Sequence, residues 1–291
     1  MKKKVKLHSI RGFYYCLTSK VVIDNFGFFP YIPYRTEQFC INTWHGGGAY
    51  KKIDNKTLHK SKFKVSLDRH KAKVTDLIVL ACEEFKQVAD SLLLGKEKIY
   101  APIGMPRNDI LFNQEKVLEK QKKIRNVLNL NEEFGIVLYA PTFRGSEKEK
   151  RSFEPQISFE KILRTLKVVY GKTFVILMRE HNYLTGKMIV DKESIIDVST
   201  YPDIMELICV TDILITDYSS VMWDFALLGR PCFLFVPDLE QYRSDRNFYI
   251  DITEWKFPIS TNMEELLSDI KKLSLDEAKK TAAAPDATVD Q

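Results

Sequence analysis

Apolar residues in this chain gather into short unbroken runs, separated by polar stretches rich in glycine, proline, asparagine and aspartate. Runs of strand length without polar alternation predict strands buried on both faces, the habit of parallel sheets. Such runs occur at residues 21–23, 38–43, 75–80, 135–140, 173–178, 195–198, 213–216 and 232–236. Between them the spacing turns helical. Residues 81–89, 159–170, 203–210 and 221–228 carry apolar positions at helical intervals, the last of these closed by Gly229 and Pro231. Residues 115–129 are helical but so charged that they predict a solvated face, and the charged stretch 54–73 predicts helix on either side of a mobile loop. Strands that alternate with helices predict an α/β fold with helices on both faces of parallel sheets. The turn-rich stretch APIGMPRND at 101–109 reads as a hinge between a first domain at 1–106 and a second at 107–273. The aromatic, proline-punctuated stretch at 26–34 reads as a packed loop, with a membrane- or acceptor-facing surface as the alternative. From Ser274 the chain loses its aromatics and fills with Ala, Asp and Thr, which predicts a disordered tail at 274–291.

Composition narrows the class. The 291 residues are 45% hydrophobic and 29% charged, a globular balance with room for two domains. A net charge of +5 suits an anionic substrate or an acidic membrane surface. The lysines are scattered and no RNA-binding signature accompanies them, so no nucleic-acid partner is expected. No apolar stretch reaches the roughly 18 residues that span a bilayer. The basic start Met1-Lys2-Lys3-Lys4 is not followed by the apolar core of a signal peptide, so the cytoplasm is the expected location. Five cysteines without CxxC spacing and five histidines without HExxH pairing predict no metal site.

The candidate chemistry collects where strands end. Four apolar runs lead into WHGGG (44–48), APTFRG (140–145), MREHN (178–182) and DYSS (217–220). Parallel strands place their carboxyl ends on one edge, where ligands of open α/β sheets bind. The loops supply His45 and His181, Arg144 and Arg179, Thr142, Ser219 and Ser220, and the bare backbone of Gly46 and Gly47, with Lys51 and Lys52 following. That set suits a diphosphate ligand and a general base, with no protein-held metal. Ser219 and Ser220 open a helix whose free N–H groups suit phosphate, although serine at such a junction is commonly only a cap. Asp224, one turn further on, is placed to accept hydrogen bonds from ribose hydroxyls. Residues after Asp238, among them Tyr242, Arg243 and Arg246, read either as a segment closing over the ligand or as a solvated loop. GxSxG and Walker motifs are missing, which argues against a serine hydrolase and a P-loop ATPase.

TWHG, YAPTFR, a strand followed by RxH, and TDYSSVMWDFALLGRPCFLFVPDLEQYRSDRNFYID together resemble the CDP-glycerol glycerophosphotransferases, over roughly residues 14–273. The resemblance implies a GT-B-like fold, two Rossmann-like lobes facing across a cleft, with an N-terminal acceptor-side lobe and a C-terminal lobe that binds the nucleotide donor. It implies transfer of glycerol phosphate from CDP-glycerol to a hydroxyl of a teichoic acid or capsular polysaccharide precursor, with release of CMP and no cofactor. Residue by residue, it makes His45 the base and His181 a partner of the substrate phosphates, with Ser219 and Ser220 as the phosphate cradle and Asp224 as the acidic residue behind it. HGGGAYKK stands where many members have HGTPLK, and only about twenty residues precede the VVIDN stretch, so the first lobe is expected to be short. Lipid-linked or polysaccharide acceptors and the cytoplasmic membrane face are the implied partners. Peripheral attachment is expected through Lys51, Lys52, Lys56, Lys60, Lys62 and Lys64 with the aromatic stretch at 26–34, and homo-oligomerisation is left open. Two other readings remain open here: a GT-B glycosyltransferase with another nucleotide sugar, and a CDP-binding subunit without turnover.

Overall fold

A computed structural model describes residues 4–6, 8–25, 31–46, 62–92, 99–142, 157–179, 194–245 and 248–273. The chain divides into two compact units, Met1–Pro106 and Arg107–Gln291.

The first unit holds a four-stranded parallel sheet, β1 (Val21–Asp24), β2 (Phe39–Asn42), β3 (Leu77–Val79) and β4 (Ile99–Ala101), in the order β1-β2-β3-β4. Its helices are α1 (Ile10–Thr18), α2 (Lys62–Val74) and α3 (Phe85–Leu92). Neither α1 nor β4 is predicted by the pattern. Helix α1 mixes aromatics with Gly12, and is started by the Ser9 side chain accepting from the Gly12 amide. Strand β4 is only three residues long and abuts Pro102. Register places Val21, Ile23, Phe39 and Ile99 on one face of the sheet, where they are 39–65% exposed. Cys40 and Ile78, on the other face, are buried.

The second unit carries a larger sheet whose central strands are buried at every position, as unbroken apolar runs demand. Its strands are β5 (Gly135–Ala140), β6 (Phe174–Met178), β7 (Ile195–Asp197), β8 (Ile213–Thr216), β9 (Cys232–Phe235) and β10 (Ile259–Ser260). All pair in parallel, in the order β10-β9-β8-β5-β6-β7. The chain runs outward from β5 to β7, returns to β8, and continues outward on the other side. The order therefore reverses between β5 and β8, the place where an open α/β sheet parts its loops to admit a ligand.

Helices α4 (Gln114–Val127), α5 (Phe159–Tyr170), α6 (Ile204–Val210), α7 (Val221–Ala226), α8 (Leu239–Asp245) and α9 (Met263–Lys272) complete the unit. From α5 and α9, Ile162, Leu166, Leu266 and Ile270 join Val137, Ile176, Ile215 and Phe233 in one fully buried core. The structure corrects the reading of α4 as merely solvated. Val117 and Ile124 are buried, and Lys120 and Lys123 pair with Glu206 of α6. The expected irregular hinge also differs, because Pro106–Phe112 forms a 3₁₀ helix. Residues 26–30, residues 54–61 of the charged stretch and the tail at 274–291 lie outside the described residues. Among the described residues no helix is long and apolar enough to cross a membrane.

Candidate functional site

The sheet of the second unit reverses order at Thr142 and Asp217–Ser220. Asp217, 2% exposed, holds the two strand ends together. Its carboxylate accepts from the Thr142 amide, at 2.9 Å to each oxygen, and also from the Thr142 hydroxyl and the Tyr218 amide. One residue earlier, Thr216 Oγ1 donates to the Ala140 carbonyl at 2.6 Å. The turn that carries the two serines is thus anchored from both strands. The sequence offered Asp217 only as part of the DYSS loop, and Thr142, one of the candidate ligand residues, spends its hydroxyl proton on Asp217.

The serines make little use of their hydroxyls as caps. Ser220 occupies the N-cap position of α7 in a helical conformation, φ −63 and ψ −9, and its side chain makes no cap bond. A capping serine normally sits in extended backbone. Ser219 Oγ accepts from the Val221 amide only at 3.4 Å. Both residues are half-buried.

Asp224 differs from the expectation of a ribose acceptor. It is 1% exposed, forms a salt bridge with Arg107 and accepts from Asn108 Nδ2 at 2.9 Å. Burial pushes its carboxyl above the ordinary aspartate range, against the opposing pull of Arg107 and Asn108. Both oxygens are engaged inside the unit, so the residue ties α7 to the opening 3₁₀ turn. PRND in the hinge motif was the only sequence sign of these partners.

The segment after Asp238 begins as the helix α8, packed on the DYSS turn. Tyr242 of α8 is 5% exposed and stacks on Tyr218, with ring centroids 3.6 Å apart and planes at 15°. The Tyr218 hydroxyl donates to Asp238 at 3.0 Å. Arg243 bonds Glu240 and Asp251. This aromatic packing backs the DYSS turn.

Arg179 stands at the end of β6, half-buried. Its Nη1 donates to the carbonyls of Val198 (3.2 Å) and Tyr201 (2.6 Å), and its amide to Tyr139 (2.9 Å). Burial lowers its guanidinium pKa from the ordinary value. Its stem is therefore fixed at the same sheet edge as the serines.

In the first unit His45 follows β2. Its imidazole is exposed, with Nδ1 3.1 Å from the Asn25 carbonyl oxygen, and it stacks on Trp44 at 4.9 Å and 22°. Trp44 holds φ +57, a left-handed conformation that costs a bulky residue about 1–2 kcal/mol. The side chain of buried Asn42 accepts from the Trp44 amide at 2.8 Å. Gly46 is buried. His181, Arg144, Gly47, Lys51, Lys52 and Arg246 lie outside the described residues. Among the described residues no group of three His, Cys, Asp or Glu side chains is placed to hold a metal ion.

Comparison with known proteins adds to this geometry. Residues 1–288 match the family described as CDP-Glycerol:Poly(glycerophosphate) glycerophosphotransferase. The chain is 32% identical over 256 residues to a teichoic acid poly(glycerol phosphate) polymerase of Staphylococcus epidermidis, covering 84% of this chain and 35% of that protein. It is 28% identical over 273 residues to a teichoic acid ribitol-phosphate primase of Bacillus spizizenii, covering 91% and 69%. The chain therefore spans about a third of the polymerase and about two thirds of the primase. Among solved structures it is similar to the wall teichoic acid polymerase TagF, at 30% identity and a TM-score of 0.81 over 96% of this chain and 70% of that one. A variant of TagF has also been solved after soaking with CDPG. The motifs at the strand ends, the paired parallel-sheet units of GT-B type and these matches agree, and the chain belongs to the CDP-glycerol:poly(glycerophosphate) glycerophosphotransferase family.

Proposed function

We propose that the chain transfers a polyol phosphate, glycerol phosphate in the first place, from CDP-glycerol to a hydroxyl of a teichoic acid or capsular precursor. The acceptor oxygen attacks the glycerol-bearing phosphorus, the bond from that phosphorus to the bridging oxygen breaks, and CMP leaves with the electron pair. His45 takes the acceptor proton. Charge growing on the CMP phosphate is met by Ser219, Ser220 and Arg179, with His181 and Arg144 as further phosphate partners. Gly46, Gly47, Lys51 and Lys52 are assigned to the acceptor side. The observation that carries the reading is the pair of serine hydroxyls at the β5/β8 switch point. Ser220 makes no cap bond there, and its neighbour makes only a long one.

The names of the relatives support both glycerol and ribitol chemistry, so the donor is tested as a panel. CMP release is measured from CDP-glycerol, CDP-ribitol and, for comparison, nucleotide sugars, with and without a lipid-linked acceptor. Turnover confined to CDP-alditols supports the proposal. Turnover of a nucleotide sugar alone would move the chain to a glycosyltransferase reading, and CDP binding without turnover on any acceptor would make it a binding subunit.

Peripheral attachment to an anionic cytoplasmic leaflet belongs to the same proposal. It is supported by α1, where Ile10 is 91% and Tyr14 62% exposed beside exposed Lys4, Lys6, Arg11 and Lys20. Each basic residue near such a surface contributes about 1 kcal/mol. Sedimentation with anionic vesicles should weaken as salt rises, and binding indifferent to salt would refute the electrostatic account.

A further inference from the structure

We propose that Asn42 and Trp44 are positioning residues that hold His45 in its Nδ1-protonated tautomer, so that Nε2 is the proton-accepting atom. The inference rests on the reading of His45 as the base. It begins from donor and acceptor chemistry. A backbone carbonyl only accepts, so the Nδ1 atom 3.1 Å from the Asn25 oxygen carries the hydrogen. A neutral imidazole has one N–H, and Nε2 then presents its lone pair. In water the opposite tautomer predominates, so the protein must impose this one through ring orientation.

Four contacts fix that orientation. Trp44 lies over the imidazole at 4.9 Å with the planes 22° apart, and it also packs against Phe85, with centroids 6.2 Å apart. The stack exists because Trp44 adopts φ +57, turning the chain sharply at the end of β2. That conformation is unfavourable for tryptophan and persists only where its surroundings over-determine it. Asn42 supplies the determinant. It is 5% exposed in the sheet, and its Oδ1 accepts the Trp44 amide at 2.8 Å, a side-chain turn that closes the backbone around the strained residue. The Thr43 amide, bonded to the Asp24 carbonyl at 2.9 Å, secures the residue between them. Strain stored beside a catalytic group, with a buried polar side chain maintaining it, is the pattern of preorganisation rather than of packing alone.

The test reads the tautomer directly. Side-chain nitrogen NMR on histidine-labelled protein in alkaline buffer, with the His45 signals assigned by their loss in His45→Gln, should show Nδ1–H and an unprotonated Nε2. Asn42→Ala and Trp44→Gly should move His45 toward the Nε2–H form. Both should lower kcat by about 10- to 100-fold while KM for the CDP-alditol changes less than about threefold. Asn42→Asp, which retains an acceptor for the Trp44 amide, should restore the wild-type tautomer, and Trp44→Phe should retain part of the stack if the glycine variant fails to fold. Wild-type His45 in the Nε2–H form, or an Asn42→Ala protein that keeps Nδ1–H, would overturn the proposal. The NMR result decides it even if the CDP-alditol panel shows no transfer, so failure of the functional reading is distinguishable from failure of this one.

Discussion

Replacing Asp217 by asparagine tests whether the ends of β5 and β8 are held together by charge. Asparagine preserves the shape but leaves one acceptor oxygen, and places an NH₂ where the second carboxylate oxygen accepted from the Thr142 amide. A hydrogen bond to a charged group is worth about 1.5–3 kcal/mol, and a buried donor left facing another donor costs about 1–3 kcal/mol more. The Thr142 amide can still reach the remaining oxygen, which trims the sum to about 2–4 kcal/mol. For a unit of this size that lowers Tm by about 4–16 °C. Thermal unfolding is followed by tryptophan fluorescence in a Trp44→Phe background, where Trp223 and Trp255, both in the second unit, supply the signal. Thr142→Val removes the hydroxyl arm, so Asp217→Asn should cost at least about 1 kcal/mol less in that background. A Tm within a degree of wild type, or additivity of the two substitutions within about 0.5 kcal/mol, would refute the argument that this carboxylate ties the site together.

Three other outcomes are expected. Hydrogen bonds from Lys123 and Tyr201 bring Glu206 down from 4.5 to about 2. Its contribution to stability is full above about pH 4.5 and is lost as pH falls toward 2. Glu206→Gln should therefore be less stable at neutral pH and show a shallower fall of the urea midpoint across that window; equal slopes would exclude the pairing as a source of stability. Gly135→Ala places a Cβ 2.3 Å from the Phe174 ring across the β5–β6 pair and should cost about 1–3 kcal/mol, partly recovered by Phe174→Leu, as read by calorimetric melting. Ile78→Ala, at a position 2% exposed, should lose about 2–5 kcal/mol in chemical denaturation, whereas Ile23→Ala, at 65% exposure, should lose less than about 0.5. Equal losses would show that the open face of the first sheet is covered in solution.

Much of the architecture was legible because burial leaves a local imprint. The strand at Gly135–Ala140 is buried at every position, and its sequence accordingly contains no polar residue to blur the boundaries. Helix Phe159–Tyr170 begins at the Ser158 cap and ends at Gly171 with φ +67, so both limits are written within a residue of the apolar stripe. Some short elements carried no such imprint. Strand β10, two residues long, and β4, three, were invisible, and α1 hid its period among aromatics and Gly12. The site divided in the same way. His45, Ser219 and Ser220 could be named because they stand where a predicted strand ends.

What the sequence by itself determined was the alternation of buried strands and helices, the loops that carry the chemistry and the family to which they belong. Only the tertiary structure decided which of the candidate side chains are engaged by the fold itself. Asp217 and Asp224 look alike in the sequence, two acids flanking a pair of serines. The first clamps Thr142, 75 residues earlier in the chain, and the second is buried against Arg107, 117 residues earlier. Strand order, too, was set by pairing and not by pattern, since the return from β7 to β8 creates the switch point. The physical reason is range. Periodicity and capping act over one or two turns, whereas burial of a charge depends on partners that only the folded chain brings within hydrogen-bonding distance.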